Sequence, residues 1–236
     1  MSVDEFEDLR PLLFSIAYRI LGSVGEAEDA VQETWIRYQA STTTPVSLKS
    51  FLCAVVTRVS IDVLRSARVR RETYVGHWLP EPLLTDGASA AYADPEHTAE
   101  LADSLSMAAL LVLERLSPEQ RAVFVLHDVF GFPFREIAGV VGKPEATCRQ
   151  LASRARRHLD DERPRFDVDR KEREELAGRF FGALVDRDAD GKVINVLALD
   201  VVGERIQVIR SVINPDKLRH LGPVADAWEI MRRPRS

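Results

Sequence analysis

The stretch FPFREIAGVVGKPEATCRQLASRARRHL, residues 132 to 159, constrains this chain more than any other. Ile137, Val140 and Val141 mark the inward side of a short helix, "GKP" turns the chain, and Cys148, Leu151, Ala152, Ala155 and Leu159 share one face of a second helix. Two short helices joined by a glycine-containing turn, the second one basic, make a helix-turn-helix pattern. The opposite face of the second helix presents Thr147, Arg149, Gln150, Ser153, Arg154 and Arg157. Such side chains hydrogen-bond base edges, Arg to guanine or Gln to adenine, and phosphates through Arg, Ser and Thr. The pattern alone is generic, since some helix-turn-helix pairs bind proteins or only build cores, and a charge run is commonly just a solvated face.

The positive charge is out of keeping with the whole, because the 236 residues carry a formal net charge of -5. A second basic run holds Arg58, Arg65, Arg68, Arg70 and Arg71 against Asp62 alone, whereas residues 25 to 34 hold Glu26, Glu28, Asp29 and Glu33 with no base. Two basic patches and one acidic patch share the chain, so net charge says little about partners.

Around these patches the pattern is mainly helical. Phe6, Leu9, Leu13, Ile16, Ala17 and Ile20 recur at helical spacing until Gly22, and Ser23 with Glu26 fits a capping box for a second helix through Ala27, Val31, Trp35 and Tyr38. A third helix from about Leu48 turns Leu52, Val55, Val56, Val59 and Val63 inward. Residues 73 to 105 read as a linker in which "HWLPEPLL" sets Trp78, Leu79, Leu83 and Leu84 around Pro80 and Pro82, either packed locally or docking on another domain. The sharpest helix start lies at "LSPEQ": Ser117 caps, Pro118 takes the first position, Gln120 completes the box, and Gly131 is the stop.

Several function classes recede. No uncharged apolar run is long enough to span a bilayer, and the acidic start MSVDEFEDLR lacks the apolar core of a signal peptide, so a cytoplasmic protein with no membrane partner is expected. Cys53 and Cys148 sit among apolar neighbours as small buried side chains. The five histidines show no zinc-ligand spacing or catalytic arrangement, so neither a metal, a cofactor nor a catalytic residue is expected.

Three segments together, AEDAVQETWIRY (27 to 38), SFLCAVVTRVSIDVLRSARVRRE (50 to 72) and residues 113 to 157, resemble the extracytoplasmic-function sigma factors of the sigma-70 family. The resemblance implies a mainly α protein of two small helical domains: a σ2 bundle over residues 1–72 and a σ4 helix-turn-helix over 106–162, joined by the linker. It implies docking on core RNA polymerase, σ2 on the β′ clamp helices through Asp29, Gln32, Glu33 and Trp35, with Trp35 as the apolar anchor, and further contact at the β flap. It implies that Arg58, Asp62, Arg65 and Arg68 hold the melted minus-ten strand, with "STTTP" as the wall of a pocket for an extruded base. Capturing unpaired bases offsets an unstacking cost of a few kcal/mol. The σ4 face, with Lys143 added, is implied to read the minus-thirty-five element. Two positions depart from the family: Val59 stands where many relatives carry Asn, and Lys143 where a Ser-like N-cap is usual.

The tail, residues 168–236, reads as a short α+β piece: a helix with Leu176, Phe180, Phe181 and Leu184 on its apolar side, ending at "DRDADG", then two strands turning near Gly203. It resembles the SnoaL-like C-terminal domain of an actinobacterial sigma-factor subgroup with its middle absent, as a reduced regulator, an engineered deletion or a fragment completed by a partner. In that subgroup the extension stands in for a separate anti-sigma protein, so none is expected here. Trp78, Leu79, Pro80 and Pro82 are the expected docking residues. The competing readings are a polymerase-independent helix-turn-helix regulator and a small-molecule sensor or enzyme with a DNA-binding appendage.

Overall fold

Helix α1 (Val3–Leu21) buries Phe6, Leu13, Ile16, Ala17 and Ile20 along one stripe and stops at Gly22, whose positive φ of 73° closes the helix with an N–H bond to the Tyr18 carbonyl at 2.7 Å. In this computed structural model the described residues are 3–42, 45–71, 81–82, 113, 115–162, 184–202 and 205–225. Contacts divide the chain into two units, residues 1–78 with 89–163, and residues 79–88 with 164–236.

In the first unit α2 (Val24–Ala40) starts at Ser23, whose hydroxyl accepts the Glu26 N–H at 3.3 Å. Helices α1, α2 and α3 (Leu48–Arg71) pack pairwise into a bundle. Helix α3 is buried on more than one side, through Leu52, Val56, Val59, Ser60, Ile61 and Leu64, because the bundle covers one flank and the helix-turn-helix covers another. The Thr57 and Ser60 hydroxyls donate to the carbonyls of Cys53 and Val56 at 2.7 and 2.8 Å, so their burial leaves neither unsatisfied.

The helix-turn-helix begins as its sequence dictates. The Ser117 hydroxyl accepts the Gln120 N–H at 3.2 Å, and the Gln120 side chain accepts the Ser117 N–H at 2.9 Å, with Pro118 opening α4 (Pro118–Phe124). The helix then widens into a π turn, Val125–Val129, before Gly131 ends it with φ 68°. Helix α5 (Phe134–Val141) closes on Gly142, also at φ 68°, and α6 (Glu145–Glu162) follows. Because Cys148 N–H bonds the Pro144 carbonyl at 3.1 Å, Pro144 occupies the N-cap position of α6, and Lys143 lies one residue outside it. Ala122, Val123, Leu126, Ile137, Cys148, Ala152 and Ala155 are buried, so the apolar stripe of α6 faces inward.

The second unit corrects one expectation. Leu184 does not lie on a helix: it opens β1 (Leu184–Arg187), which pairs antiparallel with β2 (Val193–Val202), and β2 pairs antiparallel with β3 (Arg205–Val212) in the order β1-β2-β3. The described tail thus holds three strands where the alternation pointed to two. The cause is the turn at Asp188–Lys192: the Asp188 carboxylate accepts the N–H groups of Asp190 and Lys192 at 3.0 and 2.8 Å, and Gly191 takes φ 78°. The segment with Leu176, Phe180 and Phe181 lies outside the described residues. The end of the sheet is tied to residues 223–225, with Val193 N–H on the Pro223 carbonyl at 2.8 Å and Ala225 N–H on the Val193 carbonyl at 2.9 Å.

Candidate nucleic-acid interface

Helix α6 carries its polar face outward. Arg149, Gln150, Arg154 and Arg157 are exposed, while Thr147 and Ser153 are half-buried beside the stripe. The Ser153 hydroxyl accepts from Arg157 at 3.3 Å, and Arg149 is paired with Glu145 one turn earlier. Arg149 also stands over the Phe134 ring, 4.9 Å from its centroid. Arg156, on another side of the helix, donates to Asp128 at 2.7 Å and so ties α6 to the π turn. Burial pushes the Cys148 thiol upward from its ordinary value and the Cys53 thiol up to about 12, which leaves both protonated and inert at neutral pH.

Two arginines of the other basic run are engaged within the unit. Arg58, exposed on α3, donates through Nε to the Val140 carbonyl at 2.9 Å and through Nη2 to the Gly139 carbonyl at 2.6 Å. Arg65 donates to Glu119 at 2.7 Å and sits 3.5 Å from Asp62. The Arg65 hydrogen bond holds the Glu119 carboxyl below the usual glutamate value, and the same bond raises the Arg65 guanidinium. The side chain of Arg68 lies outside the described residues. Val59, 5% exposed, belongs to the core and presents nothing to a ligand. A cleft of about 870 Å³ opens beside Arg58, with Pro45 and Val46 on one wall and Phe132, Pro133 and Val140 on the other.

Two arginines are buried where α1 meets α4 and the π turn. The Arg121 Nε donates to the Arg19 carbonyl at 3.2 Å, and the Arg19 guanidinium lies 5.3 Å from the Phe130 ring centroid. Burial lowers Arg19 to about 10. A contact that desolvates two guanidinium groups is costly.

The acidic face of α2 exposes its side chains to different degrees. Asp29 and Gln32 are exposed and Glu33 is half-buried, bonded to Arg37 at 2.7 Å. Trp35 is half-buried, its ring 4.8 Å from Phe6 and 6.0 Å from Tyr38, so it braces α2 against α1. The large apolar side chain standing outward among Asp29, Gln32 and Glu33 is Ile36, 54% exposed. Its position at three, four and seven residues from those side chains puts it on their face. Of the linker residues, Trp78, Leu79 and Pro80 lie outside the described residues. Pro82 is buried in the second unit, where His220 Nε2–H donates to its carbonyl at 2.7 Å.

Comparison with known proteins gives this geometry its context. Residues 6–70 match the family "Sigma-70 region 2" and residues 106–159 match "Sigma-70, region 4". The chain is 43% identical over 225 residues to the ECF RNA polymerase sigma factor SigJ of Mycobacterium tuberculosis, covering 92% of this chain and 71% of that protein. The chain belongs to the extracytoplasmic-function sigma factors of the sigma-70 family.

As a sigma factor it is an alternative initiation factor, whose partners are RNA polymerase and promoter DNA. It is also 36% identical over 199 residues to the probable ECF RNA polymerase sigma factor SigI of the same species, covering 83% of this chain and 66% of that one. The crystal structure of the M. tuberculosis SigJ superposes with a TM-score of 0.63 at 31% identity, over 92% of this chain and 98% of that chain. The spacing of Ile36 to Asp29 and Gln32 places it on their face, next to the expected Trp35. The engagement of Arg58 and Arg65 left no signal, since their partners lie 82 and 54 residues away in sequence. Among the described residues no helix is long and apolar enough to cross a membrane.

Proposed function

We propose that this sigma factor reads promoters with two surfaces of which one is open and the other is masked in the conformation described above. The open surface is the outer face of α6, whose Arg149, Gln150, Arg154 and Arg157, with Thr147, Ser153 and Lys143, meet the minus-thirty-five duplex. The masked surface lies on α3 at Arg58 and Arg65, which with Asp62 and Arg68 receive the melted minus-ten strand. The polymerase surface is the α2 face of Asp29, Gln32, Glu33 and Ile36, with an apolar side chain amid acids for the β′ clamp helices. The helix-turn-helix contacts the β flap.

The observation that carries this reading is the occupancy of Arg58 and Arg65. Arg58 donates to the Gly139 and Val140 carbonyls and Arg65 to Glu119, so each places part of its guanidinium on the helix-turn-helix. The two promoter elements lie about 25 base pairs apart, or about 85 Å at roughly 3.4 Å per pair. Domains in direct contact do not span that distance, so both elements are read only after α3 and α5 part. Beside the apolar side chains of α3 that it covers, the interface sets charged side chains on backbone carbonyls and two buried guanidiniums, and the cost of desolvating those charges favours a reversible contact.

In this reading the chain does no chemistry of its own and needs no cofactor. It works where core polymerase is, in the cytoplasm, and its C-terminal segment takes the place of a separate anti-sigma protein. The clasp between His220 and Pro82 supports a tail that grips its own linker. Reconstituted transcription with core polymerase on a promoter library tests the assignment. Arg149→Ala and Arg154→Ala lower promoter-dependent output and change the preferred upstream sequence. Unchanged preference in both would remove α6 from promoter reading.

A further inference from the structure

The recognition helix contacts a support that none of the surfaces above uses. Phe134, the first residue of α5, is half-buried and has a ring contact on either hand. The His127 ring lies against it with centroids 3.9 Å apart and planes 32° from parallel, and the Arg149 guanidinium carbon lies 4.9 Å from its centroid. His127 is itself fixed, because its Nδ1 lies 2.9 Å from the Phe132 carbonyl. A carbonyl only accepts, so Nδ1 carries the proton and the ring is pinned to the backbone of the loop that leads into α5. On its other side Arg149 is held by Glu145.

We propose that Phe134 is a positioning residue for promoter recognition, holding the Arg149 guanidinium in the orientation from which it reads a base pair of the upstream element. An exposed arginine samples many rotamers, and immobilising such a side chain on binding costs conformational entropy. Guanidinium over an aromatic face is attractive at an exposed site, and it limits sampling without consuming the N–H donors that a bidentate base contact needs. Glu145 restrains the guanidinium through one of its edges, and the ring restrains its plane. The relay runs from the Phe132 carbonyl through His127 and Phe134 to Arg149, so the angle of the reading side chain is set by the loop that leads into α5. The inference rests on the assignment of Arg149 to the DNA face.

Holoenzyme assembled from the full chain and core polymerase, transcribing a pool of templates randomised across the upstream element, tests it by base preference at each position. Arg149→Ala is expected to flatten one position by about tenfold or more. Phe134→Leu is expected to weaken preference at that same position by about two- to fivefold, whatever it does to total output, as follows from losing a surface cation–aromatic contact. Phe134→Tyr keeps the ring and keeps the preference. In the Arg149→Ala background Phe134→Leu leaves every position unchanged, because the side chain it positions is gone. If Arg149→Ala leaves all preferences intact, the assignment of Arg149 fails and the positioning role falls with it. If Arg149→Ala flattens a position that Phe134→Leu leaves untouched, or if Phe134→Leu acts equally without Arg149, the positioning role alone is overturned.

Discussion

Glu119→Gln is the substitution that separates masking from mere proximity. The Glu119 carboxylate, 22% exposed, accepts from Arg65 at 2.7 Å, while Arg65 itself is 55% exposed. A partly screened pair of this kind is worth up to about 1 kcal/mol, and the amide that replaces it keeps the shape but loses the charge. Loss of about 1 kcal/mol shifts the opening equilibrium about fivefold. When the closed form dominates, the apparent Kd for a ligand of the open form falls in proportion. The variant is therefore expected to bind a single-stranded oligonucleotide of the non-template minus-ten sequence about fivefold more tightly, measured by fluorescence anisotropy. The two Arg58 bonds remain and keep the shift from growing larger. Glu7→Gln, an equal charge change in an exposed ion pair with Arg10 on α1, provides the control and should leave affinity within about twofold, as expected of a screened surface charge. Equal gains in the two variants would reduce the effect to bulk charge, and no gain in Glu119→Gln would refute the competition between Glu119 and DNA for Arg65.

Other consequences follow from the same geometry. The pair's pH dependence has a definite sign: Glu119 is held below its ordinary value of 4.5, so its contribution to closure is complete above that pH and is lost as pH falls through the lowered value. Opening measured by probe distance is thus expected to be flat between about pH 6 and 9 as far as this pair is concerned. Ile36→Glu puts a charge at the centre of the α2 face and is expected to weaken core-polymerase binding at least tenfold in a pull-down titration, with the thermal transition unmoved, whereas Trp35→Ala lowers stability first. Ile137→Ala empties a fully buried site of the helix-turn-helix and is expected to cost about 2–5 kcal/mol in denaturant unfolding. His220→Ala removes the bond to the Pro82 carbonyl and is expected to raise protease cleavage in the linker, a change that Arg219→Ala should not reproduce.

How much of this was legible beforehand depends on the range of the interactions involved. The capping box at Ser117, the glycine stops at Gly22, Gly131 and Gly142, and the buried stripe of α6 are decided within a few residues, and the sequence carries them openly. The turn at Asp188–Lys192 was equally local, with Asp190–Gly191 between apolar alternations, yet Leu184 at helical spacing from Phe180 and Phe181 outweighed it. The phase of α2 was local as well: Trp35 lies on the stripe of Val31 and Tyr38 and meets Phe6 on α1, and the same phase turns Ile36 outward. The closure of α3 on the helix-turn-helix had no sequence signature, since arginines on an exposed face look the same whether they await DNA or a carbonyl. The near-continuous burial of α3, with Val59, Ile61 and Leu64 on different sides, is the trace it leaves.

The central claim, that this sigma factor must open to read a promoter, is tested most directly by the distance between a fluorophore on α1 at Asp8 and one on α6 at His158, both exposed. The account predicts a short distance for the chain alone and a separation on the order of the 85 Å between the two promoter elements once core polymerase and promoter are bound. Transcription from that promoter with the short distance unchanged would contradict it.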